Sequence, residues 1–525
     1  MEGEAVTFTY GALALVPPVL AIVLAVWKKQ VIISLTLGVF AGATIVNNWN
    51  PLTGLLDTFS KYIVAKSLAD AWNVGVVVFC LVIGGLVGVM SRIGGTQAIA
   101  ESIAKKAQDT RSTLFATALM GIAIFFDDYA NSMIVGNTMR PITDKYNIAR
   151  EKLAYIVDST AAPISSICPI STWVAMELGL IATAFTTLGI KGNSMVAFMN
   201  TIPFRFYSLF TIAFVFILIF MKRDFGLMYK AEKRARTTGE VFAKGSTPMI
   251  SEDKDLMPDD AGTGSIWGAI IPISLFALVT IFGLWYNGYA PGKTIRECFG
   301  DADASVVLTW AAFISSIVAI IIGRVTGKFK LSEGVDAWVA GLKTMLIAVI
   351  ILTLAFSLKA VITEMQLAEW IVANSKDVLS GAFLPSLTFI LAFFIAFATG
   401  TSWGTNAILM PIIIPLAVAI SGASTEVTTL MYSSMGAVLT GAVCGDHCSP
   451  ISDTTILSST ASGSDHIDHV RTQLPYSFTV AGFALVFGYI PTGFGISPWI
   501  SIIAGIIGMG VFLMFFGKKV EDSTL

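Results

Sequence analysis

Cys444-Gly445-Asp446-His447-Cys448-Ser449-Pro450-Ile451-Ser452-Asp453-Thr454-Thr455-Ile456-Leu457-Ser458-Ser459 is the stretch on which the fold turns. It carries two carboxylates, an imidazole and six hydroxyls, yet it lies within a run near 428–460 that is apolar enough to cross a bilayer. Irregular or polar backbone is tolerated at membrane depth only where protein or a water-filled cavity surrounds it. Ionisable groups in such a place are expensive and mark ion or proton pathways. The run therefore reads as an interrupted span lining a transport site. Cys444, His447 and Cys448 also have the chemistry of a partial zinc site, but no third and fourth ligand is evident nearby.

The rest of the chain supports a membrane setting. Of 525 residues, 55% are hydrophobic and 13% charged, against about 25% charged in a soluble domain. A formal net charge of -2 offers no concentrated basic face, so a nucleic-acid partner is not expected. Cys80, Cys168, Cys298, Cys444 and Cys448 are an odd number spread through apolar sequence, and free thiols are expected rather than a disulfide framework. Met1-Glu2-Gly3-Glu4-Ala5 lacks the basic stretch and cleavage site of a signal peptide, so the first apolar run is expected to stay as a span.

Apolar runs near 10–27, 31–47, 72–91, 152–187, 204–222, 266–286, 305–323, 341–362, 428–460, 476–496 and 498–517 are of crossing length, those at 152–187 and 428–460 being interrupted. Two further stretches, 112–144 and 383–420, are too long for one span and polar at their centres, so each reads as a re-entrant hairpin. The expected fold is an all-α polytopic membrane protein of about eleven transmembrane helices, with two re-entrant hairpins and two broken helices. Lysine and arginine in the short loops place the N-terminus outside and the C-terminus in the cytoplasm. Lys61, Lys66, Lys191 and Lys293 fall on the outer side against that rule and read as ordinary surface charges.

The halves repeat. Tyr129-Ala130-Asn131 falls on Trp403-Gly404-Thr405 and Pro141 on Pro415, at a common offset of 274 (403 − 129). Cys168-Pro169-Ile170-Ser171-Thr172 falls on Ser449-Pro450-Ile451-Ser452-Asp453 at 281 (449 − 168). An odd number of crossings per repeat makes the second copy inverted. The expected organisation is a first repeat over 1–222, a cytoplasmic linker over 223–265, a second repeat over 266–497, and an extra helix and tail over 498–525.

The site residues follow from these elements. Asp127 and Asp128 sit at the first hairpin tip, where like charges repel and one of the pair is a candidate to exchange protons; capping of the returning helix is the alternative. Asp158 precedes Pro163 and Pro169, which free backbone carbonyls, a combination that suits a small hard cation. Asn131, Ser159, Thr160, Thr401, Thr405, Asn406, Ser449 and Thr454 supply neutral oxygens, and His447 is a candidate proton relay. Asp158, Asp446 and Asp453 are the first choices for the negative charge that binds Na⁺. Glu177 stands between a functional role and a place at the interface. No nucleophile with an oriented base is apparent, so an enzyme is not expected.

The run Gly445–Ser459 resembles the signature of NhaC-type sodium/proton antiporters, members of the ion transporter superfamily. Phe126-Asp127-Asp128-Tyr129-Ala130-Asn131 and Asp158-Ser159-Thr160-Ala161-Ala162-Pro163 resemble that family too, and the order of hairpins and broken helices is similar from about 10 to 500. The resemblance implies a homodimer in a bacterial inner membrane, with a scaffold part and a mobile part. It also implies alternating access with Na⁺ and H⁺ as coupling ions and no cofactor. It leaves open a small organic anion or amino acid as cargo, as in malate/lactate exchangers.

Overall fold

The computed structural model describes residues 9–28, 31–247, 264–293, 298, 302–367, 370, 380–422, 426–450 and 452–520. They are almost entirely helical, and the only strands among them are the two-residue pieces Arg223–Asp224 and Lys518–Lys519, paired antiparallel.

The chain opens with α1 (Val16–Lys28) and α2 (Val31–Val46). Next come α3 (Ala71–Ile93), α4 (Thr110–Ala123) and α5 (Asp128–Lys145). The first interrupted run is α6 (Arg150–Thr160), α7 (Ala162–Ile167) and α8 (Thr172–Leu188). After α9 (Phe206–Met221) and α10 (Gly226–Thr238) come α11 (Trp267–Gly288), α12 (Ala304–Val325), α13 (Leu331–Thr344) and α14 (Leu346–Glu364). The second half closes with α15 (Leu384–Thr399), α16 (Ser402–Ser421), α17 (Thr429–Cys448), α18 (Asp453–Ser462), α19 (His466–Phe483) and α20 (Pro498–Phe516).

Among the described residues six helices are long and apolar enough to cross a membrane, and eight if two bent pairs count as one span each. The bent pairs are Arg150–Ile167 with Thr172–Leu188, at 43°, and Ser194–Phe204 with Phe206–Met221, at 50°. This is a multi-pass membrane protein. The least buried of these candidate spans, α20, exposes Trp499, Ile500, Ile503, Ile507 and Phe515, a face that only lipid or another protein would cover.

Packing sorts the helices into two groups. In one, α3 lies against α12 and α13, and α11 against α12. Close approach is built into the sequence: a Cβ on Gly88 of α3 would stand 2.5 Å from the Ala337 carbonyl oxygen of α13, so only glycine fits there. In the other group α15 packs on α17, α18 on α5 and α6, and α19 on α6, α9 and α17, while α8 touches both groups through α3 and α16.

Two expectations need correction. The apolar run 341–362 is not one helix but is divided at Met345 between α13 and α14. The run 476–496 begins ten residues earlier, at His466, because its first turns are polar and bury that polar face. Within the stretch 223–265, α10 buries Met228, Ala231, Glu232, Ala235 and Arg236 against α6 and α19.

Candidate functional site

Both interrupted runs break where the sequence disrupts the helical ladder. Pro163, at the second position of α7, has no N–H to give and fixes its own φ, and Ala161 before it takes a non-helical φ of -86° and ψ of -94°. One side chain ties a carbonyl at that break to two at the end of α4. Asn131 of α5 donates its amide to the carbonyls of Gly121 (2.6 Å), Ile124 (3.0 Å) and Thr160 (2.9 Å). The first hairpin is thereby tied to the first break. The second break follows Cys448, where Ser449 donates its hydroxyl to the Phe397 carbonyl of α15 (2.8 Å). Ser452 then caps α18, accepting from the Thr455 N–H. The C-caps Cys168 and Ser449 share one backbone conformation, φ/ψ of -83°/127° and -82°/129°.

Asp158, one turn before the first break, is 1% exposed and lies where the two interrupted runs meet. Gln473 Nε2 donates to its carboxylate at 2.7 Å, Thr455 Oγ1 at 3.2 Å and Ser458 Oγ at 3.3 Å. His469 Nε2 stands 3.3 Å from the same carboxylate and His447 Nε2 3.8 Å. His447 is itself held at both nitrogens, by Tyr207 Oη on Nδ1 (2.7 Å) and Ser159 Oγ on Nε2 (3.3 Å). Gln473 also reaches the His447 carbonyl at 2.5 Å, and the Tyr155 ring stacks beside His447 with centroids 6.4 Å apart.

The chemistry available is narrow. A carboxylate only accepts hydrogen bonds, whereas hydroxyls can turn either a proton or a lone pair towards it. One formal negative charge, rotatable oxygens and two imidazoles can therefore hold a small cation in one state and a proton in another.

The other expected residues divide. Ser132 meets Ser458 at 3.2 Å, so the first hairpin touches the second break. Thr454 Oγ1 donates to Asp446 at 3.3 Å, and Thr160 Oγ1 returns to its own helix at the Ile156 carbonyl (2.8 Å). Asp127 and Asp128 are buried at the hairpin tip, where Asp128 opens α5. Thr401 serves α16 itself by accepting from the Gly404 N–H (3.4 Å), and Thr405 bonds back to the Thr401 carbonyl (2.9 Å). Asn406 is fully buried, and its amide has no hydrogen-bond partner among the described residues. Asp453 opens α18, and its side chain lies outside the described residues.

Glu177 is no lipid-interface residue. It is fully buried with Arg205 Nη2 at 2.8 Å, and Arg205 also donates to the Ser166 carbonyl and to Thr201 Oγ1. All five cysteines are free. Among the described residues no group of three His, Cys, Asp or Glu side chains is placed to hold a metal ion, and both His447 nitrogens are engaged.

His469, Gln473 and Tyr207 were missing from the expected set. The first two lie four residues apart, the spacing that puts side chains on one helix face, and that pair of polar groups was the available signal. Tyr207 had none, since it opens an apolar helix.

The linker fixes the start of α6. Glu232 of α10 accepts from the Ala149 N–H (2.8 Å) and from Arg236 (3.0 Å). Lys152 meets Asp224 at 2.5 Å, and Tyr476 donates to the same oxygen. Arg234 pairs with Glu151 at 3.0 Å. Asp158 stands two turns further, about 9 Å along the axis from Lys152.

The sequence matches the profile of the Na⁺/H⁺ antiporter family over residues 2–172 and 167–494. The chain belongs to that family. A protein of Haemophilus influenzae with no described activity is 32% identical over 98% of this chain and 97% of its own length. Among solved structures, the Alcanivorax borkumensis YdaH transporter aligns over 94% of this chain and 98% of its own, with a TM-score of 0.55 at 15% identity. MtrF of Neisseria gonorrhoeae, from a class of antimetabolite efflux pumps, aligns over 88% of this chain and 85% of its own, with a TM-score of 0.53 at 16% identity. At those identities the likeness is one of fold.

Proposed function

We propose that this family member is a secondary transporter exchanging Na⁺ for H⁺ by alternating access, with Asp158 as the residue for which the two ions compete. The observation that carries the proposal is the shell around that carboxylate, with two hydroxyls, a carboxamide and two imidazoles converging on one buried charge from α17, α18 and α19. Deprotonated, the site binds Na⁺; protonated, it releases it. Competition for one site couples the two fluxes without a further device. Asp446 and Asp453 add charge at the second break, and Asp127 and Asp128 do so at the first hairpin tip. The remaining neutral oxygens, from Asn131, Ser159, Thr160, Thr401, Thr405, Asn406, Ser449 and Thr454, complete the cavity, with His447 relaying the proton.

The wider architecture belongs to the same proposal. The α4–α5 and α15–α16 hairpins are re-entrant and open to opposite sides, and the two breaks are related by an inverted repeat, for which the matched backbone of Cys168 and Ser449 is support. About eleven crossings, an outer N-terminus, a cytoplasmic C-terminus and a homodimer in a bacterial inner membrane complete it. In that frame α3 with α11–α13 is the scaffold, and the group around α15–α19 moves.

Proteoliposomes test this. Addition of Na⁺ should dissipate an imposed pH gradient, and Asp158→Asn should leave the rate at that of protein-free vesicles. If Na⁺, Li⁺ and K⁺ all fail unless an organic solute such as malate or lactate is added, sodium/proton exchange is wrong and ion-coupled solute exchange replaces it.

A further inference from the structure

Two neighbouring cavities share Lys359 and Thr363 in their linings. The larger, about 600 Å³ in volume, is lined by Lys61, Lys66, Asp70, Phe356, Lys359 and Glu364 among others. Its charges do not cancel. Lys61 pairs with Glu364 at 2.8 Å, and Tyr62 donates to the other oxygen of that carboxylate. Asp70 caps α3 through the Asn73 N–H (2.9 Å). Lys66 and Lys359 are left with no carboxylate at ion-pair distance among the described residues. Lys61 and Lys66, two of the four lysines that ran against the charge rule on the outer side, line this cavity.

Lys359 and Thr363 also line the second, narrower cavity, together with Thr183 and Thr187 of α8 and Pro411 and Pro415 of α16. The Thr183 hydroxyl is buried with no hydrogen-bond partner among the described residues. These two helices run side by side back to a ring contact between Trp173 and Trp403, with centroids 6.0 Å apart. Ten residues of helix separate Trp173 from Thr183, about 15 Å. Asn406, with its unpartnered amide, lies one turn beyond Trp403 on the same helix. The open basic cavity thus adjoins, through Lys359 and Thr363, a narrower one lined by Thr183 and Thr187.

A lining with excess positive charge repels Na⁺ and concentrates anions. Its volume falls in the range of small-molecule sites, about 300–1,000 Å³, far more than an inorganic ion fills. Phe356 gives it an apolar wall. We propose that this cavity binds a small organic carboxylate, with Lys359 as the anchoring cation and Lys66 as the second. The proposal rests on the cavity and is independent of the cation site at Asp158.

The experiment is a thermal-shift titration of the purified full-length protein with sodium lactate and sodium succinate. Sodium chloride and sodium phosphate at matched ionic strength and Na⁺ are the comparison. The expected result is a saturable rise in Tm with the carboxylates only. In Lys359→Gln the apparent Kd should rise about tenfold or more, since a charge-assisted contact is lost, while Lys359→Arg keeps binding. Should Lys359→Gln not fold, Lys66→Gln makes the same comparison with a smaller expected loss. Three results overturn the site: no saturable shift in the native protein, an equal shift from chloride or phosphate, or native affinity in the neutralised variant that folds.

Discussion

A few side chains carry the proposed exchange. Replacing Asp158 by Asn keeps the shape of the site and removes its charge, so exchange should vanish while Tm changes little. Gln473→Leu removes a donor to both Asp158 and the His447 carbonyl; transport should persist at a reduced rate, with a raised Na⁺ KM, read in the same vesicle assay. The Glu177–Arg205 pair is a matter of stability rather than transport. Arg205→Met leaves a fully buried carboxylate without its partner, at a cost of about 3–5 kcal/mol. The double variant with Glu177→Leu should recover most of that, as measured by thermal unfolding in detergent. At this scale the sequence was readable where a charge interrupts apolar residues, as at Asp158, Asp446 and His447. It was silent about partners that sit far away along the chain: Asp158 and Gln473 are brought together only by the packing of α6 on α19.

The helices were legible where caps and breakers are written in the chain. Asp109 caps α4 in a reciprocal box with Ser112, accepting from its N–H at 2.6 Å while Ser112 Oγ accepts from the Asp109 N–H at 2.9 Å. The Ser112 N–H and hydroxyl hold the Asp109 carboxyl below the usual carboxylate range. Because the folded value is the lower one, this stabilisation is present above the ordinary carboxylate pKa and is lost as pH falls through the depressed value. Asp109→Ala should cost about 1 kcal/mol, and the difference from the native protein should shrink on acidification; thermal shifts at acid and neutral pH measure both. Gly400, at the turn between α15 and α16, has φ of +69°, so Gly400→Ala should cost about 1–2 kcal/mol and slow transport by disturbing the hairpin tip. The limits of α19 were not legible, because hydropathy finds lipid-facing residues and not a polar face turned inwards. His469, Thr472 and Gln473 are buried, yet they lower the apolar signal that would have marked the helix. The division at Met345 was hidden for the opposite reason, the residues on both sides being apolar.

For the whole molecule, composition and interruption of the apolar runs disclosed a membrane transporter, and the motifs disclosed the family. Composition cannot disclose which helices group together. The separation of α3 with α11–α13 from the group around α15–α19 depends on close approaches such as Gly88 against Ala337, which have no hydropathy signature. Under the proposed mechanism, one group carries Asp158 relative to the other across that division. The central claim is that a cation and a proton share this carboxylate, and the most direct test is calorimetric titration of Na⁺ into the purified protein across a range of pH. Single-site competition predicts that, in the acidic limb, apparent Na⁺ affinity falls about tenfold for each unit of pH, and that Asp158→Asn binds no Na⁺ at any pH. An affinity that does not change with pH, or a variant that binds Na⁺ as the native protein does, would contradict it.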